Sequence, residues 1–234
     1  MGEGKQLEWR KRLFLVNVAS GGLFVAMLLS IVGQELPTTI DSRVKAYMEL
    51  WRSEWMVPLV TMVTDMNSFW GAALFSLAVI VFFIWKRWIR EIGFYLVSTL
   101  GATGLFALFK IAVGRTRPVF TVLEAEGYSF PSGHTTMATA MAFSLYFILY
   151  KKVDKSLSPL WFLAALGWAL LIAFTRVYLG VHWFTDVVGG FGLGLWWVTL
   201  TALVWYRHER RYYFTKPSKY LSGTGSFISR KGGK

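Results

Sequence analysis

Leu13-Phe-Leu-Val-Asn-Val-Ala-Ser-Gly-Gly-Leu-Phe-Val-Ala-Met-Leu-Leu-Ser-Ile-Val-Gly33 is a stretch of the sequence without a charged side chain. A helix needs roughly 20 residues to cross the hydrocarbon core of a bilayer, so this stretch predicts a membrane-spanning helix. A cleaved signal peptide is disfavoured, because the stretch is too long, is interrupted by Gly21 and Gly22, and lacks a small-x-small cleavage site near its end.

Five further apolar blocks follow, and together they set the predicted fold class. We place the six spans at residues 13–33, 69–85, 92–109, 135–150, 160–175 and 187–206. The alternative is a soluble bundle of buried helices, but six such blocks in 234 residues leave too little polar surface to cover them. The sequence therefore predicts an all-α, polytopic membrane bundle of six transmembrane helices. It forms one domain, residues 13–206, between an N-terminal tail (1–12) and a basic C-terminal tail (207–234).

Basic residues are distributed unevenly between the two sides of this bundle. The chain has 25 Lys and Arg against 13 Asp and Glu, a formal net charge of +12. Four basic residues precede the first span, three follow the second, three follow the fourth and eight follow the last, so 18 lie on one side. The seven on the other side are Arg43, Lys45, Arg52, Lys110, Arg115, Arg117 and Arg176. The positive-inside rule then predicts a plasma-membrane protein with both termini in the cytoplasm, whose basic excess reflects topology and anionic lipid rather than nucleic acid.

Between the first two spans, apolar residues recur at three- and four-residue spacing: Val44, Tyr47, Met48, Trp51 and Trp55. Charged residues fill the other positions, as in a helix that lies in the membrane interface. We therefore expect an outer interfacial helix here. The pattern is compatible with two roles, covering the bundle and forming one wall of a lipid entrance.

The side with few basic residues has ionisable groups at the ends of its spans. Lys110 ends the third span, Arg117 and Pro118 follow it, and Arg176 lies at the end of the fifth. Charged groups near hydrocarbon are costly, so a functional role is the first interpretation. Three such cations could converge on the oxygens of a phosphate, although each alone is also typical of an interface cation that reaches water.

The fourth span begins with Pro131-Ser-Gly-His134. Free N–H groups and the helix dipole at a helix start favour anions, and Gly133 permits a close approach. Ser132 is equally compatible with a simple N-cap.

His182 and Asp186 are four residues apart, so on a helical turn they would share one face. A carboxylate bonded to one ring nitrogen orients the imidazole and leaves the other nitrogen as a nucleophile. His134 is then available as the general acid for a leaving alkoxide. A metal site of His134, His182 and Asp186 has tolerable ligands, but three nearby cations oppose it, so we predict no metal and no cofactor. The chain has no Cys, which excludes thiolate chemistry.

These segments resemble the three signatures of the type-2 phosphatidic-acid phosphatase family, integral-membrane lipid phosphatases related to vanadium haloperoxidases. The family pattern K-x6-R-P matches residues 110–118, P-S-G-H matches 131–134, and S-R-x5-H-x3-D matches 175–186 with Thr175 in place of the usual Ser. The resemblance implies that His182 attacks phosphorus and forms a phosphohistidine, that Asp186 supports it, and that His134 protonates the departing oxygen. It also implies a phosphate-binding set without metal: Lys110, Arg117, Ser132, Gly133 and Arg176.

The expected function is hydrolysis of a lipid phosphate at the outer face of the membrane. A glycerophospholipid phosphate (phosphatidylglycerol phosphate or phosphatidate) is the lead substrate, with undecaprenyl diphosphate and lipid A as alternatives. The expected partners are the bilayer and the lipid substrate, with no nucleic acid and no obligatory protein partner. An anion or lipid transporter would favour helices broken at mid-membrane, and a catalytically silent lipid-binding relative would be expected to lack the nucleophile or the acid.

Overall fold

The computed structural model describes residues 3–32, 38–119, 122–123 and 125–215. Within them every regular element is a helix, which confirms the all-α class. The α-helices are α1 (Glu3–Ile31), α2 (Thr39–Trp51), α3 (Met56–Asp65), α4 (Phe69–Trp85), α5 (Ile89–Val113), α6 (Gly133–Lys152), α7 (Ser158–Tyr178) and α8 (Phe184–Thr215). Gly33, the predicted end of the first span, and residues 216–234 of the predicted tail lie outside the described residues.

The described helices include four that are long and apolar enough to cross a membrane: Leu7–Ile31, Ile89–Val113, Lys155–Tyr178 and Phe184–Tyr206. A fifth span results if α3 and α4, which are bent by 49° at the break between them, are counted together. The sequence predicted a span over 69–85 but no helix over 56–65. The chain is thus a membrane-spanning helical protein. The remaining predicted span, over 135–150, stays a prediction.

The block over residues 135–150 corresponds to α6, which lies inside the bundle between α5, α7 and α8. Its buried hydroxyl groups donate to carbonyl oxygens one turn earlier. Thr139 donates to Thr135 at 2.7 Å and Ser144 donates to Met141 at 2.8 Å. Because these groups are satisfied within the helix, α6 is stable in an apolar bundle despite its low hydropathy.

Two glycines bring α8 close to α6. A Cβ atom at Gly190 would lie 2.8 Å from the carbonyl oxygen of Ser132, and one at Gly194 would lie 2.6 Å from that of Thr136. Small residues allow helix backbones to approach this closely in a membrane bundle. The backbone N–H of Ser132 also donates to the carbonyl oxygen of Asp186 at 3.0 Å. The first turns of α6 and α8 are therefore held side by side.

The predicted amphipathic segment forms α2, which packs against α7 and α8. Asp41 is buried, Val44 and Met48 are half-buried, and Tyr47 and Trp51 are exposed. The aromatic side chains thus face away from the bundle, as in an interfacial helix. The placement of α2 at the outer interface stays a prediction.

Candidate active site

Gly114 ends α5 and turns the chain into the loop that carries two arginines. Its φ of 65° is left-handed, which glycine adopts readily, and its N–H donates to the carbonyl oxygen of Lys110 at 3.1 Å. Lys110 lies in the last turn of α5, where its Nζ donates to the carbonyl oxygen of Tyr128. Arg115 and Arg117 follow directly. The end of α5 therefore brings three cations to one region.

Arg117 joins this loop to the segment between α7 and α8. Its Nη1 donates to the carbonyl oxygen of Val181 at 2.7 Å and lies 3.3 Å from Nε2 of His182. Its Nε and Nη2 donate to the carbonyl oxygens of Glu126 and Gly127 at 3.0 to 3.2 Å. These contacts fix the guanidinium beside the imidazole ring.

The two ring nitrogens of His182 have different partners. Nδ1 lies 3.3 Å from Oδ2 of Asp186, while Nε2 faces Nη1 of Arg117. A guanidinium can only donate, so Nε2 accepts and the ring proton resides on Nδ1. In this tautomer the lone pair of Nε2 is directed toward the cations.

The surroundings of His182 also keep the ring neutral. The residue is only 4% exposed. Burial lowers the pKa of His182 well below its ordinary value, and the positive charges of Arg176, Arg117 and Lys110 lower it further. A neutral imidazole is the nucleophilic form. The site thus holds this ring in the state that an attack on phosphorus requires.

Asp186 is fixed by contacts to both carboxylate oxygens. Oδ1 accepts from Nη1 of Arg115 at 2.6 Å, and Oδ2 accepts from the backbone N–H of Trp183 at 2.9 Å. The sequence suggested that His182 and Asp186 share a helical turn, but α8 begins at Phe184, after the histidine. Asp186 instead reaches back from the first turn of α8, as a capping carboxylate does. The pair meets as predicted, with a different backbone between its members.

The predicted segment Ser132–His134 forms the start of α6. Oγ of Ser132 accepts from the backbone N–H of Thr135 at 3.4 Å, so Ser132 is the N-cap. The carbonyl oxygen of His134 accepts from Nδ2 of Asn67 at 2.8 Å, which ties this turn to the break between α3 and α4. The first N–H groups of a helix lack intrahelical acceptors. At Gly133 they are therefore suited to an anion.

Arg176 lies at the end of α7 with its guanidinium buried. Its Nη1 donates to Oγ1 of Thr64 at 3.0 Å, whereas its Nε has no hydrogen-bond partner in the described part of the chain. The hydroxyl of Thr175 donates to the carbonyl oxygen of Ile172 at 2.7 Å, so it serves the local backbone. A buried charged donor without an acceptor is costly. The Nε of Arg176 is thus available for an anionic ligand.

The structure brings the predicted site residues to one place. His134 lies within electrostatic range of the other charged groups of the site: Arg176, His182, Lys110 and Arg117. Among the residues described, no three His, Asp or Glu are arranged to hold a metal ion. The oxygens of Asp186 accept from Arg115 and Trp183, and the absence of a metal at His134, His182 and Asp186 stays a prediction.

Four further residues support the site but were not singled out from the sequence. The sequence marks Arg115 only as one of the outer cations, although Arg115 binds Asp186. Asp41 has no signal in the sequence, because an Asp in the first turn of a helix is common. Thr64 and Asn67, at the break between α3 and α4, bind Arg176 and the backbone of His134. No local pattern marks these two, since their role depends on the bend.

Comparison with known proteins shows what this chain is similar to. The profile of the PAP2 superfamily matches residues 91–210, a range that includes every predicted site residue. Phosphatidylglycerophosphatase B of Bacillus subtilis is 32% identical over 184 residues, which are 74% of this chain and 87% of that protein. A lipid A 1-phosphatase of Rhizobium etli is 35% identical over 134 residues, which are 51% of this chain and 53% of that protein.

The fold is also similar to that of a solved structure. A crystal structure described as the first transmembrane PAP2-type phosphatidylglycerolphosphate phosphatase from Bacillus subtilis superposes with a TM-score of 0.75. The match covers 83% of this chain and 96% of that chain at 24% identity. At this identity the likeness concerns the fold.

Proposed function

The chain belongs to the PAP2 superfamily, and from this premise we propose that it hydrolyses lipid phosphates through a phosphohistidine formed on His182. Its enzyme class, a membrane lipid phosphatase, is that of its family. The observation that carries the proposal is the pair of contacts at the ring, with Asp186 at Nδ1 and Arg117 at Nε2. A neutral, oriented imidazole that opens toward cations is what attack on a phosphoryl group requires.

In the proposed reaction the phosphoryl group binds among Lys110, Arg117, Arg176 and the N–H of Gly133. Ser132 contributes its hydroxyl, because its backbone N–H already donates to the carbonyl oxygen of Asp186. Nε2 of His182 attacks phosphorus, and the P–N bond forms as the bond from phosphorus to the lipid oxygen breaks. His134 is neutral without substrate, because burial and the nearby cations lower its pKa to about 3. It takes up a proton when the phosphate anion offsets those cations, and it then gives this proton to the lipid oxygen, so the lipid alcohol leaves. Water then attacks phosphorus, the P–N bond breaks, and His134 takes the proton of the water. The cations stabilise the equatorial oxygens in both steps, and the reaction needs no metal.

The lead substrate is a glycerophospholipid phosphate, with phosphatidylglycerol phosphate first and phosphatidate second. The Bacillus subtilis phosphatase, whose name states that substrate, matches most of both chains and supports this choice. The Rhizobium relative supports lipid A as an alternative over half of the chain. Undecaprenyl diphosphate is the third candidate. Ranking these lipids by kcat/KM with the purified enzyme distinguishes them.

The proposed placement in the membrane has six spans, of which α6 is one. Both termini are in the cytoplasm and the site is at the outer face. The satisfied hydroxyls of α6 support its role as a span sheltered from lipid. The excess of basic residues on the opposite side supports the orientation. In this placement α2 lies in the outer interface with Tyr47 and Trp51 toward lipid.

Phosphate release from phosphatidylglycerol phosphate by purified protein in detergent and EDTA tests the proposal. We expect release by the wild type and none by His182→Ala, because the alanine variant lacks the nucleophile. His208→Ala is the matched control, since the sequence puts that histidine in the basic tail, and it should retain activity. Retained activity in His182→Ala would contradict the nucleophile assignment.

After reconstitution into vesicles, the same protein separates the rival functions. Lipid movement across vesicles without phosphate release would favour a transporter. Activity that disappears in EDTA and returns only with added metal would favour the metal-site alternative.

A further inference from the structure

Asp41 is a buried carboxylate on a helix that otherwise lies at the edge of the bundle. It is only 1% exposed, although its neighbours Ile40 and Ser42 on α2 are exposed. Burying a carboxylate is expensive unless it is well paired. Its contacts therefore indicate what it is kept for.

Asp41 uses both oxygens on groups around the site. Oδ1 accepts from the backbone N–H of Thr185 at 2.9 Å, and Oδ2 accepts from Nη2 of Arg115 at 2.7 Å. The hydroxyls of Thr38 and Thr185 donate to Oδ2 at 2.8 and 2.9 Å. Burial raises the pKa of Asp41, but the hydrogen bonds from Thr185, Arg115 and Thr38 outweigh it, so the pKa lies below its ordinary value. The group is a carboxylate at physiological pH.

Arg115 connects this carboxylate to the one behind the nucleophile. Its Nη2 binds Asp41, while its Nη1 binds Oδ1 of Asp186 at 2.6 Å and Oγ1 of Thr185 at 2.7 Å. The guanidinium also lies over the ring of Trp183, 5.7 Å from its centroid. One cation is thus shared between two buried carboxylates, and only one of them touches His182.

We propose that Asp41 is a positioning residue for catalysis, which acts through Arg115 to hold Asp186 against His182. This inference rests on the proposed function of His182. With Asp41 in place, Arg115 is anchored on both sides, and Asp186 keeps enough negative charge to support the ring as it becomes a cation. Without the charge of Asp41, Arg115 is drawn to Asp186 alone, and the carboxylate becomes a weaker and less well-placed acceptor for Nδ1. The first turn of α2 is therefore part of the catalytic apparatus.

The test compares Asp41→Asn, Arg115→Gln and the double variant by kcat and KM with phosphatidylglycerol phosphate. We expect Asp41→Asn to lower kcat about 10- to 100-fold with KM changed less than about twofold, because the phosphate-binding cations are untouched. In the Arg115→Gln background the same change should lower kcat less than about threefold, since the connection is already lost. Glu49→Gln, which removes a surface carboxylate from the same helix, should behave as the wild type.

Three outcomes would overturn the inference: an unchanged kcat in Asp41→Asn, a rise in KM instead of a fall in kcat, or the same fold-loss in both backgrounds. If Asp41→Asn does not fold, Thr38→Val replaces it, because it removes one donor to Asp41 without removing a charge. A lower kcat at unchanged KM in Thr38→Val then supports the inference, and an unchanged kcat overturns it. A wild type without phosphatase activity would instead contradict the proposed function, so the two failures are distinguishable.

Discussion

The proposed chemistry depends on the protonation state of His182. An ordinary histidine is half-protonated at about pH 6.5. Burial and the charges of Arg176, Arg117 and Lys110 oppose the imidazolium, so the pKa of His182 lies well below that value. We expect this ring to stay neutral, in the phosphate-free protein, at pH values at which an ordinary histidine is already protonated. Bound phosphate should raise its pKa, because the anion offsets the cations.

Ring nitrogen chemical shifts of ¹⁵N-histidine-labelled protein measure this directly, since the chain has only three histidines. The signal of His182 is identified by its loss in His182→Gln. His208, which the sequence places in the basic tail, provides an internal comparison in the same sample. A titration midpoint near the ordinary value, without phosphate, would mean that the cations do not act on the ring.

The site residues that could be predicted from the sequence are those that contact partners close to them along the chain. His182 and Asp186 are close in sequence, so their contact needs only a tight local backbone. Asp41 and Arg115 meet because α2 folds back onto the start of α8, a contact between residues 74 positions apart. A pattern within one segment carries no information about such a contact. The phosphate-binding residues and the His182–Asp186 pair were therefore predictable from the sequence, and Asp41 and Arg115, which hold that pair in place, were not.

The close contact between α6 and α8 determines whether the site residues on these two helices meet. α6 carries His134 and α8 carries Asp186. A Cβ atom at Gly194 would lie 2.6 Å from the carbonyl oxygen of Thr136, a backbone atom that can move only with its helix. We expect Gly194→Ala to destabilise the protein by about 1–3 kcal/mol, as overpacking does, and to lower phosphatase activity.

The apparent melting temperature in detergent, measured together with phosphate release, checks this expectation. Gly167→Ala on α7 is the matched control, because a Cβ there meets no atom within 4 Å. That control should be as stable as the wild type, or slightly more stable, because alanine favours the helix by about 1 kcal/mol. Equal melting temperatures for the two variants would mean that the α6–α8 spacing is not tight.

The helices themselves were predictable to the extent that lipid contact imposes apolar composition. α5, α7 and α8 have this composition over their whole predicted spans. α6 is packed among other helices and tolerates hydroxyl groups. Its mean hydropathy is therefore lower than that of the other spans, although it lies inside the bundle. The bend between α3 and α4 lies at Asn67 and Ser68, where Ser68 caps α4, and the apolar pattern of the sequence does not indicate it.

At the scale of the whole molecule, orientation decides which lipid pool the enzyme reaches. In the proposed six-span placement, seven of the 25 basic residues lie on the side of the site, and three of these are the proposed phosphate ligands Lys110, Arg117 and Arg176. Only four ordinary basic residues then remain on that side, against 18 on the other. The positive-inside rule places the richer side in the cytoplasm.

Because the chain has no Cys, single cysteines test this orientation without background. Glu126→Cys reports the face of the active site, since the backbone of that exposed residue binds Arg117. Ser156→Cys reports the opposite face, in the exposed turn before α7. On intact spheroplasts we expect a membrane-impermeant maleimide to label Glu126→Cys and to spare Ser156→Cys, with both labelled after permeabilisation. The reverse pattern would place the site in the cytoplasm, and the substrate would then have to be a lipid phosphate of the inner leaflet.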